Sequence, residues 1–197
     1  TTATSTFAGG LDLTSSTGMG LNFGSNTLFY QNNQRFLTSS TTAAGNLTIG
    51  YQSPTNIDAS GGTNNTGLGY QALGNATSTS YNTALGYQAL KGSVTKTSVG
   101  DNTAIGYRSL SSVTTGDANT AVGAWSLSSN TTGYVNTAVG DYALADNTTG
   151  IDNTAIGYAS LRHNTTGISN TGIGSDALFG NTTGGWNTAI GGSALTY

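Results

Sequence analysis

His163 is the single histidine of this 197-residue chain. A lone imidazole becomes a general base only where a nucleophile or a carboxylate is held against it. His163 stands just before an Asn-Thr-Thr-Gly phrase, at a position where neighbouring units carry Ser129, Asp146 and Gly180. A column that varies so freely reads as a solvent-facing corner. Eight Asp and no Glu make up the acids. Asp101, Asp117, Asp141, Asp146, Asp152 and Asp176 scatter through variable columns, without the spacing of a glycosidase pair or a calcium loop. The stretch GGTNNTGLG resembles a phosphate-binding loop only superficially, because no Gly-Lys-Ser/Thr follows it and no helix is predicted behind it. Seven Asn-x-Ser/Thr sequons, starting at Asn46, Asn64, Asn75, Asn130, Asn147, Asn164 and Asn181, read as corner chemistry outside a eukaryotic secretory context. No catalytic residue, cofactor site or metal site is predicted.

The elements that carry these residues follow from composition. Only 7% of residues are charged, the net charge is −3, and there are five basic residues. Such a chain offers no basic track for a phosphate backbone, so nucleic acid is excluded as a partner. Helix formers are scarce, whereas Thr, Val, Ile and Tyr are abundant, which points to β structure. With Pro54 the sole proline and aliphatic residues at fixed places, the chain does not read as low-complexity disorder. There is no cysteine, and no apolar run approaches the length of a membrane span. The start, TTATSTFAGG, has neither an initiator Met nor a signal-peptide layout and reads as a processed or excised piece.

A repeat organises the rest. The anchoring Asn falls at Asn46, Asn65, Asn82, Asn102, Asn119, Asn136, Asn153, Asn170 and Asn187, with a spacing of 17 from Asn102 onward. Small insertions lie near Pro54 and in KGSVTKTSVGD. The aligned unit is Asn-Thr-Ala-(Ile/Val/Leu)-Gly-x-x-(Ala/Ser)-Leu-x-x-Asn-Thr-Thr-Gly-x-x. Its fourth position is never polar: Ile49, Leu68, Leu85, Ile105, Val122, Val139, Ile156, Ile173 and Ile190. Its ninth is Leu73, Leu90, Leu110, Leu127, Leu144, Leu161, Leu178 and Leu195. Its sixth is often aromatic, at Tyr51, Tyr70, Tyr87, Tyr107 and Tyr158.

Seventeen residues cannot bury enough apolar surface to fold alone, but they can form one turn of a solenoid. Each unit is predicted to supply two strands, roughly TAIG and xxAL, with corners at Gly and at Asn-Thr-Thr-Gly. Stacking in parallel would turn the fourth and ninth columns into interior ladders. The columns Asn65, Asn82, Asn102, Asn119, Asn136, Asn153, Asn170 and Asn187 would become a hydrogen-bonded ladder. The prediction is therefore an all-β, parallel β-solenoid of about nine coils over residues 46–197. Residues 1–45 do not repeat; STFAGGLDLTS and SNTLFYQNNQRFLTS read as short β segments, the second a hairpin turning near Gln31–Gln34. They would form an N-terminal cap or shaft connector over the first coil's edge.

NTAIGYASL, NTALGYQAL and NTAVGDYAL resemble the head repeats of trimeric autotransporter adhesins of the YadA type. The NTAIGYxxLxxNTTG form resembles repeats of bacterial and phage tail-fibre-like proteins even more closely. The resemblance covers about residues 46–195, although the unit here is longer than the adhesin's. It implies a left-handed β-roll, a homotrimer, and a non-enzymatic fibre on a bacterial surface, in an extracellular filament or on a virion. Its partners would be copies of itself, in a trimer or also end to end in a filament, and a host or environmental surface, glycan or matrix, with no membrane insertion in this segment.

Two columns bear on what the fibre contacts. The tyrosines Tyr51, Tyr70, Tyr87, Tyr107 and Tyr158 could form a glycan platform or fill a subunit interface. The interface is the preferred expectation, because long aromatic stripes seldom stay exposed. Trp125 and Tyr142 supply aromatic bulk where the column breaks. The alternative function is an ice- or crystal-surface-binding solenoid displaying Thr arrays at the second, thirteenth and fourteenth positions. A polysaccharide-degrading solenoid lacks its carboxylate cluster.

Overall fold

The computed structural model describes residues 28–31, 34–39, 45–53, 62–75, 79–92 and 100–197. The first segment of residues 1–45, STFAGGLDLTS, lies outside the described residues, as do the insertion after Pro54 and most of KGSVTKTSVGD. The Thr-Ala-Ile triplets form strands because their extended backbone pairs in register with the same triplet one unit on. They are β3 (Leu47–Ile49), β4 (Thr66–Leu68), β5 (Thr83–Leu85), β6 (Thr103–Ile105), β7 (Thr120–Val122), β8 (Thr137–Val139), β9 (Thr154–Ile156), β10 (Thr171–Ile173) and β11 (Thr188–Ile190). Each pairs in parallel with the next, Thr on Thr from β4 onward and each fourth-column Ile, Val or Leu on its counterpart throughout. The chain is an all-β parallel solenoid of about seven turns with a spacing near 17 residues, fewer than the nine coils expected.

Before them, β1 (Leu28–Gln31) and β2 (Gln34–Ser39) pair antiparallel with Gln31 opposite Gln34, and β2 then pairs antiparallel with β3. Among the described residues, all eleven strands thus belong to one sheet in chain order.

The second strand expected in each unit does not form. The stretch xxAL is a turn, because its seventh and ninth residues adopt left-handed backbone angles that break the extended chain. Tyr142 has φ 59° and Leu144 φ 51°; Ala159 and Leu161 repeat the pattern at 50° and 51°. A third left-handed residue closes each coil at the seventeenth position, Val135 (φ 57°) among them. An L residue in this region costs about 1–2 kcal/mol. Burying a leucine side chain returns roughly 1.5–3 kcal/mol, and its N–H is used as well: Leu144 donates to Ser160 O at 3.0 Å.

The interior differs from expectation in one column. The leucines Leu73, Leu90, Leu110, Leu127, Leu144, Leu161 and Leu178 are buried, facing a wall made by the third residue of each unit, the middle of its strand: Ala84, Ala104, Ala121, Ala138, Ala155 and Ala189. The eighth column, Ala72, Ala89, Ser109, Ser126, Ala143, Ser160 and Ala177, completes the core. The fourth column does not line it. Ile49, Ile105, Val122 and Ile173 are only half-buried, and Leu68, Leu85, Val139, Ile156 and Ile190 are exposed, Leu68 at 45%. In a three-residue strand the second and fourth unit positions share one face and the third faces the other. The bore is too narrow to take the larger side chain: even a Cβ on Gly67 would sit 3.0 Å from Leu73 Cδ1. Alanine goes in and isoleucine goes out. Leu195 also departs from the buried ladder, 58% exposed in the last unit.

Candidate functional site

The asparagine column is continuous, buried from Asn46 to Asn170 and half-buried at Asn187. In each step the carboxamide oxygen accepts two hydrogen bonds from the next Asn, one from its N–H and one from its Nδ2. The distances are 2.8 and 2.8 Å from Asn65 to Asn46, and 3.0 and 3.1 Å from Asn153 to Asn136. Asn82, Asn102, Asn119, Asn170 and Asn187 repeat the arrangement. The same Nδ2 reaches the carbonyl of the glycine 14 residues on, as Asn136 does to Gly150 O at 2.8 Å, which ties the end of a coil to its beginning. A second ladder, read from sequence only as corner chemistry, runs through Asn130, Asn147, Asn164 and Asn181, each Nδ2 donating to the previous Oδ1 at 2.9 Å. Its signal was the Asn at the twelfth position of the four units that begin at Asn119, Asn136, Asn153 and Asn170. Apart from the half-buried Asn181 and Asn187, these side chains are buried, and they hydrogen-bond to one another along the chain.

Chemistry with other molecules is therefore left to the outer surface, which has three parts. The first is the strand face. It carries the fourth-column aliphatics and, beside them, the second-column threonines Thr66, Thr83, Thr103, Thr120, Thr137, Thr154, Thr171 and Thr188, all exposed or half-buried. Strands about 4.8 Å apart make two parallel rows, one hydroxyl and one aliphatic.

The second part is the aromatic column. Tyr51, Tyr70, Tyr87 and Tyr107 stack successively at 5.6, 5.0 and 5.1 Å, the last two pairs nearly parallel. The column then shifts one residue along the chain to Trp125 and Tyr142, and returns to Tyr158. The rings are partners to one another within the chain. Tyr51, Tyr87, Tyr107 and Tyr158 remain 41–54% exposed, and Tyr70 is half-buried. Beside them a glutamine row was not foreseen: Gln88 Nε2 donates to Gln71 Oε1 at 2.7 Å, and Arg108 Nε donates to Gln88 Oε1 at 2.8 Å. The Arg108 guanidinium lies 4.8 Å from the centre of the Trp125 ring, and that of Arg162 at the same distance from Tyr142.

The third part is the Asn-Thr-Thr-Gly corner. Here the thirteenth-position hydroxyls are already used: Thr131 donates to Thr148 O at 3.0 Å and Thr148 to Thr165 O at 3.0 Å. His163 stands near this corner, half-buried, with Nδ1 2.7 Å from Asp146 Oδ2 and its ring edge-on to Phe179. Asp146 comes from the preceding coil, so the pair joins two coils.

Among the described residues, no group of three or more His, Cys, Asp or Glu is placed to share a metal, and no helix is long and apolar enough to cross a membrane. Comparison with protein-family models, with curated proteins and with solved structures finds no match.

Proposed function

We propose that the chain is a non-enzymatic structural or adhesive fibre segment that assembles as a homotrimer through its strand face. The observation that carries this reading is the unbroken outward column from Ile49 to Ile190. Eight steps of about 4.8 Å make an aliphatic stripe roughly 38 Å long. Soluble monomers rarely leave so continuous an apolar strip in water, and homo-oligomers usually close by rotational symmetry. Three chains around one axis would bury three stripes. This assigns the contact to the aliphatic column rather than to Tyr51, Tyr70, Tyr87, Tyr107 and Tyr158, whose rings already pack on one another. In the same reading β1 and β2 extend the sheet past its first coil and serve as the connector to a shaft or to the next segment. The fibre then belongs outside the cell, on a bacterial surface, in an extracellular filament or on a virion, and meets host or environmental surfaces along its sides.

Light scattering on the purified protein tests this directly, with Val139→Asp/Ile156→Asp as the paired variant. A trimeric mass for the parent and a monomeric mass for a still β-folded variant are expected. A monomeric parent would sink the proposal.

A second reading is favoured by the second column. Its threonines lie on the flat strand face, not at the corner, in a row that could order water or match a crystal lattice. Thermal hysteresis in freezing solutions, abolished by Thr137→Lys/Thr154→Lys, would select it; a trimer without hysteresis selects the fibre.

A further inference from the structure

A groove runs beside the aromatic column on a different part of the coil from the strand face. It is open, of about 470 Å³, and spans four successive coils. The seventh, tenth and eleventh unit positions line it, none of which is shared with the aliphatic stripe. Lys91 and Arg108 both contribute. In a chain with five basic residues and net charge −3, two cations on one groove are a concentration of positive charge. Among the described residues neither forms an ion pair, the sole pair being His163 with Asp146. Arg108 is also held in place: its Nε donates to Gln88 Oε1 and its plane lies against Trp125, which leaves its outer nitrogens for a ligand. A guanidinium fixed this way loses little freedom when it binds an anion.

The rest of the wall is neutral and hydrogen-bonding: Asn75, Gln88, Ser112 and Ser129. Asn75 spends its Nδ2 on Gly92 O at 2.8 Å, so its oxygen is left to accept. Hydroxyls and carboxamides donate and accept alike, which suits a ligand rich in hydroxyls. The face of Trp125 is taken by Arg108 on one side and Tyr142 in parallel at 6.5 Å, so a ligand here is held by charge and hydrogen bonds, not by ring stacking. Four coils at about 4.8 Å give a length near 14 Å, the span of a short oligosaccharide.

We infer that this groove binds an acidic saccharide, with its carboxylate or sulfate on Lys91 and Arg108 and its hydroxyls on Asn75, Gln88, Ser112 and Ser129. This rests on the adhesive reading above and names what the fibre would adhere to. Binding should be weak per chain and strengthened by multivalency in a trimer.

The test is calorimetric titration of the assembled protein with a glucuronic acid–N-acetylglucosamine tetrasaccharide, a heparin tetrasaccharide, neutral chitotetraose and inorganic sulfate. Binding of at least one acidic tetrasaccharide is expected, at least tenfold tighter than chitotetraose or sulfate, and weaker at high salt. Lys91→Gln/Arg108→Gln should lower it at least tenfold, whereas Arg162→Gln should leave it unchanged. Should the double variant misfold by circular dichroism, Ser112→Tyr, at an exposed rim position, should block the groove instead. Sulfate binding as tightly as the saccharides would reduce the groove to an anion site and overturn the inference. So would equal binding of chitotetraose, no binding of either acidic probe, or binding untouched by the folded variants. Light scattering on the same samples separates the two proposals. A trimer that binds no acidic saccharide refutes this inference alone, and a monomer that binds one refutes the fibre alone.

Discussion

Asn136 gives both its backbone N–H and its side-chain Nδ2 to a single oxygen, Oδ1 of Asn119 one coil below, at 3.0 and 3.1 Å. Its own Oδ1 then accepts the same pair from Asn153. Each asparagine is therefore donor downward and acceptor upward, and only a side chain with both functions can continue the column. Asn136→Ala keeps its backbone N–H on Asn119 Oδ1, and Gly150 O keeps Asn147 Nδ2, but the buried Asn153 N–H loses its acceptor and three side-chain bonds of the ladder are lost. At about 1–3 kcal/mol for one unsatisfied buried group, the loss should be about 2 kcal/mol. Asn136→Asp keeps the acceptor but removes the donor and buries a charge, and should do no better. Urea denaturation followed by circular dichroism measures both; a loss under about 1 kcal/mol in either would show that the ladder does not hold the stack.

The inside and outside of the strand can be separated by adjacent substitutions. Ala155 is fully buried, so Ala155→Asp places an unpartnered charge in the core and should cost several kcal/mol, enough to disrupt the local coils. Ile156→Asp, one residue on and 40% exposed, should preserve the coil fold and weaken only the assembly. Melting curves of the two variants decide. Equal losses at low protein concentration, where the chains are separate, would contradict this assignment.

Leu161→Ala, opposite the alanine wall, should open a cavity with little room to collapse and destabilise by about 2–5 kcal/mol. The same change at Leu195, exposed in the last unit, should have a much smaller effect. Comparable losses at both sites would mean that the end coil is as closely packed as the middle.

Backbone geometry gives two predictions of opposite sign. Gly157 has φ 128°, and a Cβ there would lie 2.6 Å from the Gly174 carbonyl, so Gly157→Ala should force two coils apart and lower the melting temperature markedly. Val135 is a β-branched residue at φ 57° and exposed. Val135→Asn places a side chain that tolerates the left-handed region and should stabilise by about 1 kcal/mol. Calorimetry reads both, and a stabilising alanine or a destabilising asparagine would overturn the argument.

The stacked tyrosines can be tested inside one chain. Tyr70, Tyr87 and Tyr107 lie in near-parallel pairs, each pair contributing about 0.5–1.5 kcal/mol beyond burial. Replacing Tyr87 with Ser removes two contacts and should lower coil stability by about 1–3 kcal/mol without changing oligomer mass. A change of mass with unaltered coil stability would return the subunit contact to the aromatic column.

The sequence by itself determined the class, the period and two of the ladders. A spacing of 17 held from Asn102 to Asn187 admits little but stacked coils, and invariant Asn and Leu columns must meet their own copies when coils stack in register. The β1–β2 hairpin was legible too, from two apolar runs about a polar Gln-Asn-Asn-Gln turn. The tertiary structure alone decided which way the strand faces. Hydrophobicity favoured Ile156 for the core over Ala155, yet the leucine wall lies close and the inward column holds only small residues, so volume overruled polarity. One signal was available: had the fourth position faced inward, the threonine two residues earlier would have faced inward with it, its hydroxyl buried among leucines. The left-handed turns that replaced the second strand were hidden for a related reason. Leucine resists such angles in isolation, and only a coil that buries its side chain and uses its N–H holds it there. The juxtaposition of Lys91, Arg108 and the serines depended on the same closure, since residues about a unit apart in the chain share a surface only once the coils are stacked.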